Sequence, residues 1–288
     1  MRVGMGCSFA KGYVTHQAEI RRKPNFTTNE RVHIMRLTPL SMALAAAITA
    51  SSAAQAQQFS EVYSFGDSLT DAGNVGTLNG LPPDSSFTTN LDPVYSQILS
   101  SLFGLGNQTN RSPFIPSSSG GTNFAYGGAC AISNGTAIAA PIPGLPTFTC
   151  SNSPGNFSLM SQFTTHLTAN GGVADPDALY TYWAGANDIL SATSVIAPGG
   201  FLPNGSILYQ YIYLNGGNPA NASAIAQTVA GQAGATAAGE VAFLQSKGAK
   251  TIVVFNLPDL GKTPLNVGTA NATGATALST IYNLQFAA

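Results

Sequence analysis

Residues 251–255 (TIVVF) constrain the fold more than any other stretch of this chain. A continuous apolar run of this length suits a strand buried on both faces of a parallel sheet. What precedes it strengthens that reading. In residues 221–247, Ile225, Val229, Ala233, Ala237, Val241 and Leu244 recur at near-helical spacing. Asn221 or Ser223 can cap the start, and Lys247 followed by Gly248 marks the end. Two further strands are expected upstream, at 59–65 (FSEVYSF) and 178–183 (ALYTYW), stopping at Gly66 and Gly185. A short helix is expected around 94–102, and another opens at 273–282. Strands alternating with helices define an α/β fold with a parallel sheet. A doubly wound sheet normally continues with another strand after such a helix, so the expectation is a fold incomplete at its C-terminus. Residues 70–120 and 131–156 are rich in Pro, Gly, Ser and Asn and read as loops shaping a cleft.

Charge excludes some functions. Charged residues make up only 8% of the 288 residues, against about 25% in ordinary globular chains. With 44% hydrophobic residues, this is a weakly charged globule rather than a charge-rich disordered chain. Seven of the eleven basic residues precede residue 37, whereas residues 57–288 carry ten acids against four bases. A body that acidic offers no electrostatic footprint for nucleic acid.

The basic start has its own explanation. Met35-Arg36 opens a positively charged n-region, residues 40–50 form a short apolar run, and Ala54-Gln55-Ala56 is a small-x-small cleavage site. Residues 35–56 therefore read as a secretory signal peptide, with an apolar run too short to span a bilayer. Residues 1–34 are then either an unusually long leader or a mis-assigned start preceding Met35. Export implies a periplasmic, cell-surface or secreted protein. It also leaves Cys130 and Cys150 as an even pair in an oxidising compartment, expected to be disulfide-bonded; the alternative is two unpaired thiols. No Cys/His cluster has metal-ligand spacing, and no metal or cofactor is expected.

The first chemical motif is Phe65-Gly66-Asp67-Ser68-Leu69-Thr70-Asp71-Ala72-Gly73-Asn74. A serine directly after a parallel strand sits where ligands bind in open α/β sheets. Gly-Asp-Ser alone equally describes a strand-to-helix cap in which Asp67 or Ser68 bonds local amides. The longer string and the blocks after it resemble the GDSL (SGNH) hydrolases. Residues 123–129 (NFAYGGA) resemble the second family block, residues 185–188 (GAND) the third, and residues 257–264 (LPDLGKTP) the segment after the next strand. The likeness is closest to the branch that includes bacterial autotransporter esterases, and it covers roughly residues 59–284.

This resemblance implies a flavodoxin-like three-layer α/β/α sandwich, without cofactor, acting on small-molecule or lipid esters. Ser68 would be the nucleophile. The oxyanion would be held by the Ser68 amide, the Gly127 amide (Gly128 being the alternative) and the Asn187 side chain. Asp188 is expected to brace a helix start or loop, with Asp71 and Asn74 pinning the nucleophile turn. The family's acid and base form an Asp-x-x-His near the domain's C-terminus, and no such pair occurs at the matching place in this sequence. His16 and His33 lie in the leader, and His166 reads as a histidine on the surface of an amphipathic helix. The expectation is thus an exported serine esterase or lipase domain over 57–288 that lacks its C-terminal catalytic segment. The alternative is an inactive remnant or binding module that keeps the cleft.

Overall fold

The structure is a computed structural model that describes residues 59–82, 85–88, 92–106, 120–133, 135–138, 144–145, 147–148, 158–193, 211 and 216–288. The expected leader, signal peptide and Cys150 lie outside the described residues. Three parallel strands occupy the centre, β1 (Val62–Gly66), β2 (Leu179–Trp183) and β3 (Thr251–Val254), in spatial order β1-β2-β3. Their registers align Val62 with Leu179 and Leu179 with Thr251. Beyond β1, residues 122–126 run as a further parallel segment. The Ser64 amide donates to the Thr122 carbonyl at 3.0 Å, the Phe124 amide to Ser64 at 2.8 Å, and the Tyr126 amide to Gly66 at 3.0 Å. Counting that segment, the order in chain sequence is 2-1-3-4, the doubly wound order of flavodoxin-like sheets.

Alternation along the strands sorts residues between two helical layers. Tyr63, Phe65, Tyr180 and Tyr182 face α3 (Leu159–Ala169), α5 (Ala222–Ser246) and α6 (Ala272–Phe286), with α4 (Ala186–Thr193) packed against α5. On the opposite face, α2 (Tyr95–Leu102) packs against β1. A chain of hydroxyls runs there: Thr181 donates to Ser64 at 2.9 Å, and the Tyr95 phenol lies 3.3 Å from both Thr181 and Thr70. A short helix, α1 (Asn74–Leu78), follows the turn that carries Ser68.

The α5 periodicity is realised: Ile225, Val229, Ala233, Ala237 and Leu244 are buried, whereas Val241 is only partly so. The same stripe carries a carboxylate. Glu240 is 2% exposed and accepts the Tyr182 phenol at 2.7 Å, and burial drives its carboxyl well above the ordinary carboxylate range. Such a group stays inside because it is neutralised and hydrogen-bonded rather than left as a bare charge.

The expectation for residues 251–255 needs correcting. Val253 and Val254 are 38% and 44% exposed, so β3 is not buried on both faces. It is the outer strand, and among the described residues nothing pairs with its far edge. Beside it lies an apolar groove of about 450 Å³ between α2 and the sheet, lined in part by Leu99, Phe103, Leu179, Val253 and Phe255. The apolar run does form a strand; its depth depends on neighbours that local sequence does not specify.

Candidate active site

The site is built where β1 ends. Gly66 is held on both sides: its amide donates to Gln162 Oε1 and its carbonyl accepts Gln162 Nε2, each at 2.9 Å. Gln162 reaches there from α3, buried among Phe163 and its neighbours. The chain then turns, with the Asp71 amide donating to the Asp67 carbonyl at 3.0 Å and the Leu69 amide to Asp67 Oδ1 at 3.0 Å. Asp67 therefore does bond local amides, as a capping residue would. Ser68 is half-buried at the outside of this turn, and its hydroxyl has no hydrogen-bond partner among the described residues.

Asp71 is the hub. Its Oδ1 accepts the amides of Gly73 and Asn74, and its Oδ2 accepts Val75 at 3.2 Å and Gly127 at 2.9 Å. One side chain thus ties the nucleophile turn to the second block, 56 residues away. Asn74 and Asn123 complete the joint. Asn74 Nδ2 donates to the carbonyls of Asn123 (3.0 Å) and Ala125 (2.7 Å), while Asn123 Nδ2 donates to Thr70 O at 2.8 Å. The pins expected at Asp71 and Asn74 are found; Asn123, which opens the second block, joins them, as does Gln162, which no local sequence signal marks.

Gly127 has a packing reason to be glycine. A Cβ there would lie 2.4 Å from the Phe87 ring and 3.1 Å from Val75. Its amide, expected to face an oxyanion, donates to Asp71 instead. Gly128 follows with φ of 84°.

The third block closes the site from β2. Asn187 stands in the first turn of α4, is 9% exposed, and donates from Nδ2 to the Ala129 carbonyl at 2.9 Å. Asp188 turns the other way. Its two oxygens accept the amides of Ala131 and Ile132, each at 2.9 Å, so it braces the loop. Ser68's turn, the Gly127 turn and the Asn187 turn are thereby cross-linked at the C-terminal ends of parallel strands, through Asp71 on one side and Asn187 on the other. The Asp67 amide adds a bond to the Trp183 carbonyl at 3.3 Å. Trp183 stacks on Phe255 at 5.1 Å and meets Tyr95 edge-on at 5.6 Å.

Two carboxyls here are strongly shifted. Burial pushes Asp67 up from 3.8 to about 6, against the pull of the Leu69 amide. Burial likewise pushes Asp188 up from 3.8 to about 7, against the pull of the Ile132 and Ala131 amides. Desolvation disfavours the charged form and outweighs the amide bonds in both.

The expected surface histidine is not on the surface. His166 is 0% exposed and packs against Tyr63, Phe65, Phe124 and Tyr180, with ring centroids 4.4–5.6 Å apart. Its helix is amphipathic as read, but its face points into the sheet. His166 is the one histidine among the described residues. Cys130 is disulfide-bonded, and Cys150, its expected partner, lies outside the described residues. Lys262 is exposed, 3.4 Å from Asp259. No cluster of three or more His, Cys, Asp or Glu that could hold a metal occurs among the described residues, and none of their helices is long and apolar enough to cross a membrane.

A serine at the end of the first strand of a parallel α/β sheet, joined by buried polar bonds to a glycine turn and an asparagine, defines an SGNH-type hydrolase architecture. The GDSL-like lipase/acylhydrolase family model matches residues 62–287, and the chain belongs to that family. Two relatives bear on it. An uncharacterised protein encoded in the trpE–trpG intergenic region of Pseudomonas putida is 31% identical over 261 residues, covering 87% of this chain and 36% of that protein. Lipase 1 of Photorhabdus luminescens is 26% identical over 220 residues, covering 76% of this chain and 25% of the lipase. The matched region thus spans about a third and a quarter of these relatives' lengths.

Proposed function

We propose that this chain is an exported hydrolase of carboxylic esters that uses Ser68 as its nucleophile. The observation carrying this reading is the Asp71 joint: one buried carboxylate fixes the Ser68 turn against the Gly127 turn while Ser68 itself is only partly buried. Ser68 Oγ would attack the ester carbonyl carbon, and the alcohol would leave from the tetrahedral intermediate. Water would then release the acid from the acyl-serine.

The negative charge that develops would be met by the Ser68 amide, the Gly127-Gly128 turn and the second N–H of Asn187 Nδ2. Asn187 can serve both the Ala129 carbonyl and an oxyanion because an amide nitrogen carries two donors. Since the Gly127 amide donates to Asp71, the turn contributes either Gly128 or a Gly127 amide shared with the oxyanion. Each such donor typically lowers a barrier by about 2.7–4 kcal/mol.

Serine needs a base. His166 is sealed inside aromatic rings and cannot take the Ser68 proton. The described residues therefore supply no general base for Ser68. The signal-like segment 35–56 supports export, and family membership supports a small-molecule or lipid ester as substrate. The absence of a base beside Ser68 among the described residues favours a second reading, a binding module that keeps the cleft without the chemistry.

One experiment separates the two. The full chain is treated with a fluorophosphonate probe and assayed on p-nitrophenyl esters. The esterase reading expects label on Ser68 and turnover, both abolished by Ser68→Ala. Folded protein that neither labels nor turns over would discard the esterase reading and leave the binding module.

A further inference from the structure

Asn187 anchors its side chain on the Ala129 carbonyl, but its backbone turn is held from elsewhere. The turn that presents it, Ala184-Gly185-Ala186, is gripped from behind by α6, an element far away in sequence. The Tyr282 phenol donates to the Ala184 carbonyl at 2.7 Å, across 98 residues. Its ring fills the space where a side chain at position 185 would begin. A Cβ on Gly185 would lie 2.2 Å from Tyr282 Cε2 and 2.8 Å from its hydroxyl. Gly185 itself has φ of 112°, a conformation that side chains disfavour, and its carbonyl accepts the Ile189 amide in the first turn of α4. The ring and the turn are therefore shaped to each other.

Tyr282 is in turn held firmly. It is 0% exposed, and Phe286, one turn later on α6, packs on Tyr182 with centroids 5.7 Å apart. The helix is fastened to the segment after β3 by three side chains. Asn283 bonds both the amide and the carbonyl of Leu257, at 2.8 and 3.0 Å; Ser279 accepts the Leu260 amide at 3.1 Å; Thr276 donates to Asp259 at 2.6 Å. Where α6 crosses α5, a Cβ on Gly234 would lie 2.4 Å from the Tyr282 carbonyl, so the helices are in close backbone contact.

We infer that Tyr282 is a positioning residue for Asn187: it fixes the Ala184–Gly185 turn and thereby the direction of the Asn187 amide. The inference rests on the esterase reading for its catalytic meaning, but not for its geometry. A hydroxyl that merely stabilised the core would be equally satisfied by any buried acceptor. This one is spent on the carbonyl that opens the third block, and only glycine at 185 leaves room for it. Misplacing a reacting group by about 1 Å can cost on the order of 100-fold in rate.

The test uses the full chain and Tyr282→Phe, which keeps the ring and deletes the bond to Ala184. If wild type turns over p-nitrophenyl esters, the variant should lose at least about tenfold in kcat with KM changed less than about twofold, part of the roughly 10²–10³-fold that loss of an oxyanion donor costs. Independently of turnover, the Asn187 side-chain amide resonances should shift in the variant, identified by their disappearance in Asn187→Asp, while those of Asn74 and Asn123 stay in place. Should wild type show no turnover, the esterase reading fails and the resonance shift alone decides this inference. An unshifted Asn187 amide, or unchanged kcat in an active enzyme, overturns it.

Discussion

The two sides of the sheet are built to different standards. On the β1 side, the Ser68 turn, the Gly127 turn and α3 are locked by buried polar bonds from Gln162, Asp71, Asn74 and Asn123. On the β3 side the strand is four residues long, its outer valines are exposed, and an apolar groove opens next to it. What differs is directional bonding: a hydrogen-bond web fixes geometry to tenths of an ångström, whereas apolar contact fixes only depth. The directional bonds are concentrated around the Ser68 turn, where the proposed chemistry would need them.

If this comparison is right, the largest loss should come from Asp71→Ala. Four backbone donors lose their acceptor, including the buried Gly127 amide. At roughly 1–3 kcal/mol for each buried donor left unsatisfied, less what entering water recovers, the expected destabilisation is about 5 kcal/mol by urea unfolding. Fluorophosphonate uptake at Ser68 should vanish with it. A loss below about 1 kcal/mol would mean the web is ornamental and the comparison fails.

The same web should show itself in pH dependence. Asp67 and Asp188 bind protons more tightly folded than unfolded, titrating near 6 and 7 rather than 3.8. The folded state therefore holds more protons across that window. Stability from these groups is fully present below pH 3.8 and is lost as pH rises through 6 to 7. For Asp188 alone the limiting loss is on the order of 4 kcal/mol, at about 1.4 kcal/mol per unit. The expected outcome is a melting temperature that falls between about pH 4 and 7 and then levels off, with a shallower slope in Asp188→Asn. A melting temperature that stays level across that range would show that these carboxyls are already charged in the folded protein.

Reading the sequence recovers these regions unequally. The strands at 62–66 and 179–183, the helix at 222–246 and the pins at Asp71 and Asn74 follow from period, caps and motif, all local in sequence. The long-range partners do not. Nothing adjacent to Gln162 marks it as the residue that closes Gly66, and nothing adjacent to Tyr282 marks it as the clamp on Ala184. His166 is misjudged, and the buried Glu240 goes unnoticed, for a related reason. Polar residue type argues for a surface, yet an aromatic cage and a phenol make the interior acceptable. The apolar run at 251–255 errs in the opposite direction, since composition cannot report whether a strand is central or outermost.

The smallest expected effect tests the β3 side. Val254 is 44% exposed and lies on the outermost strand of the described sheet. Replacing an exposed side chain removes little packing, so Val254→Lys should change unfolding free energy by no more than about 0.5 kcal/mol. A lysine on an open strand edge also disfavours pairing with another chain. The variant should therefore stay monomeric to higher concentration than wild type, as read by light scattering. A loss of about 2 kcal/mol or more would carry the opposite message. Such a penalty arises when a charge is forced into an apolar contact, and it would mean that Val254 is covered in the folded protein. The contrast between a bonded side and an open side of the sheet would then have to be abandoned.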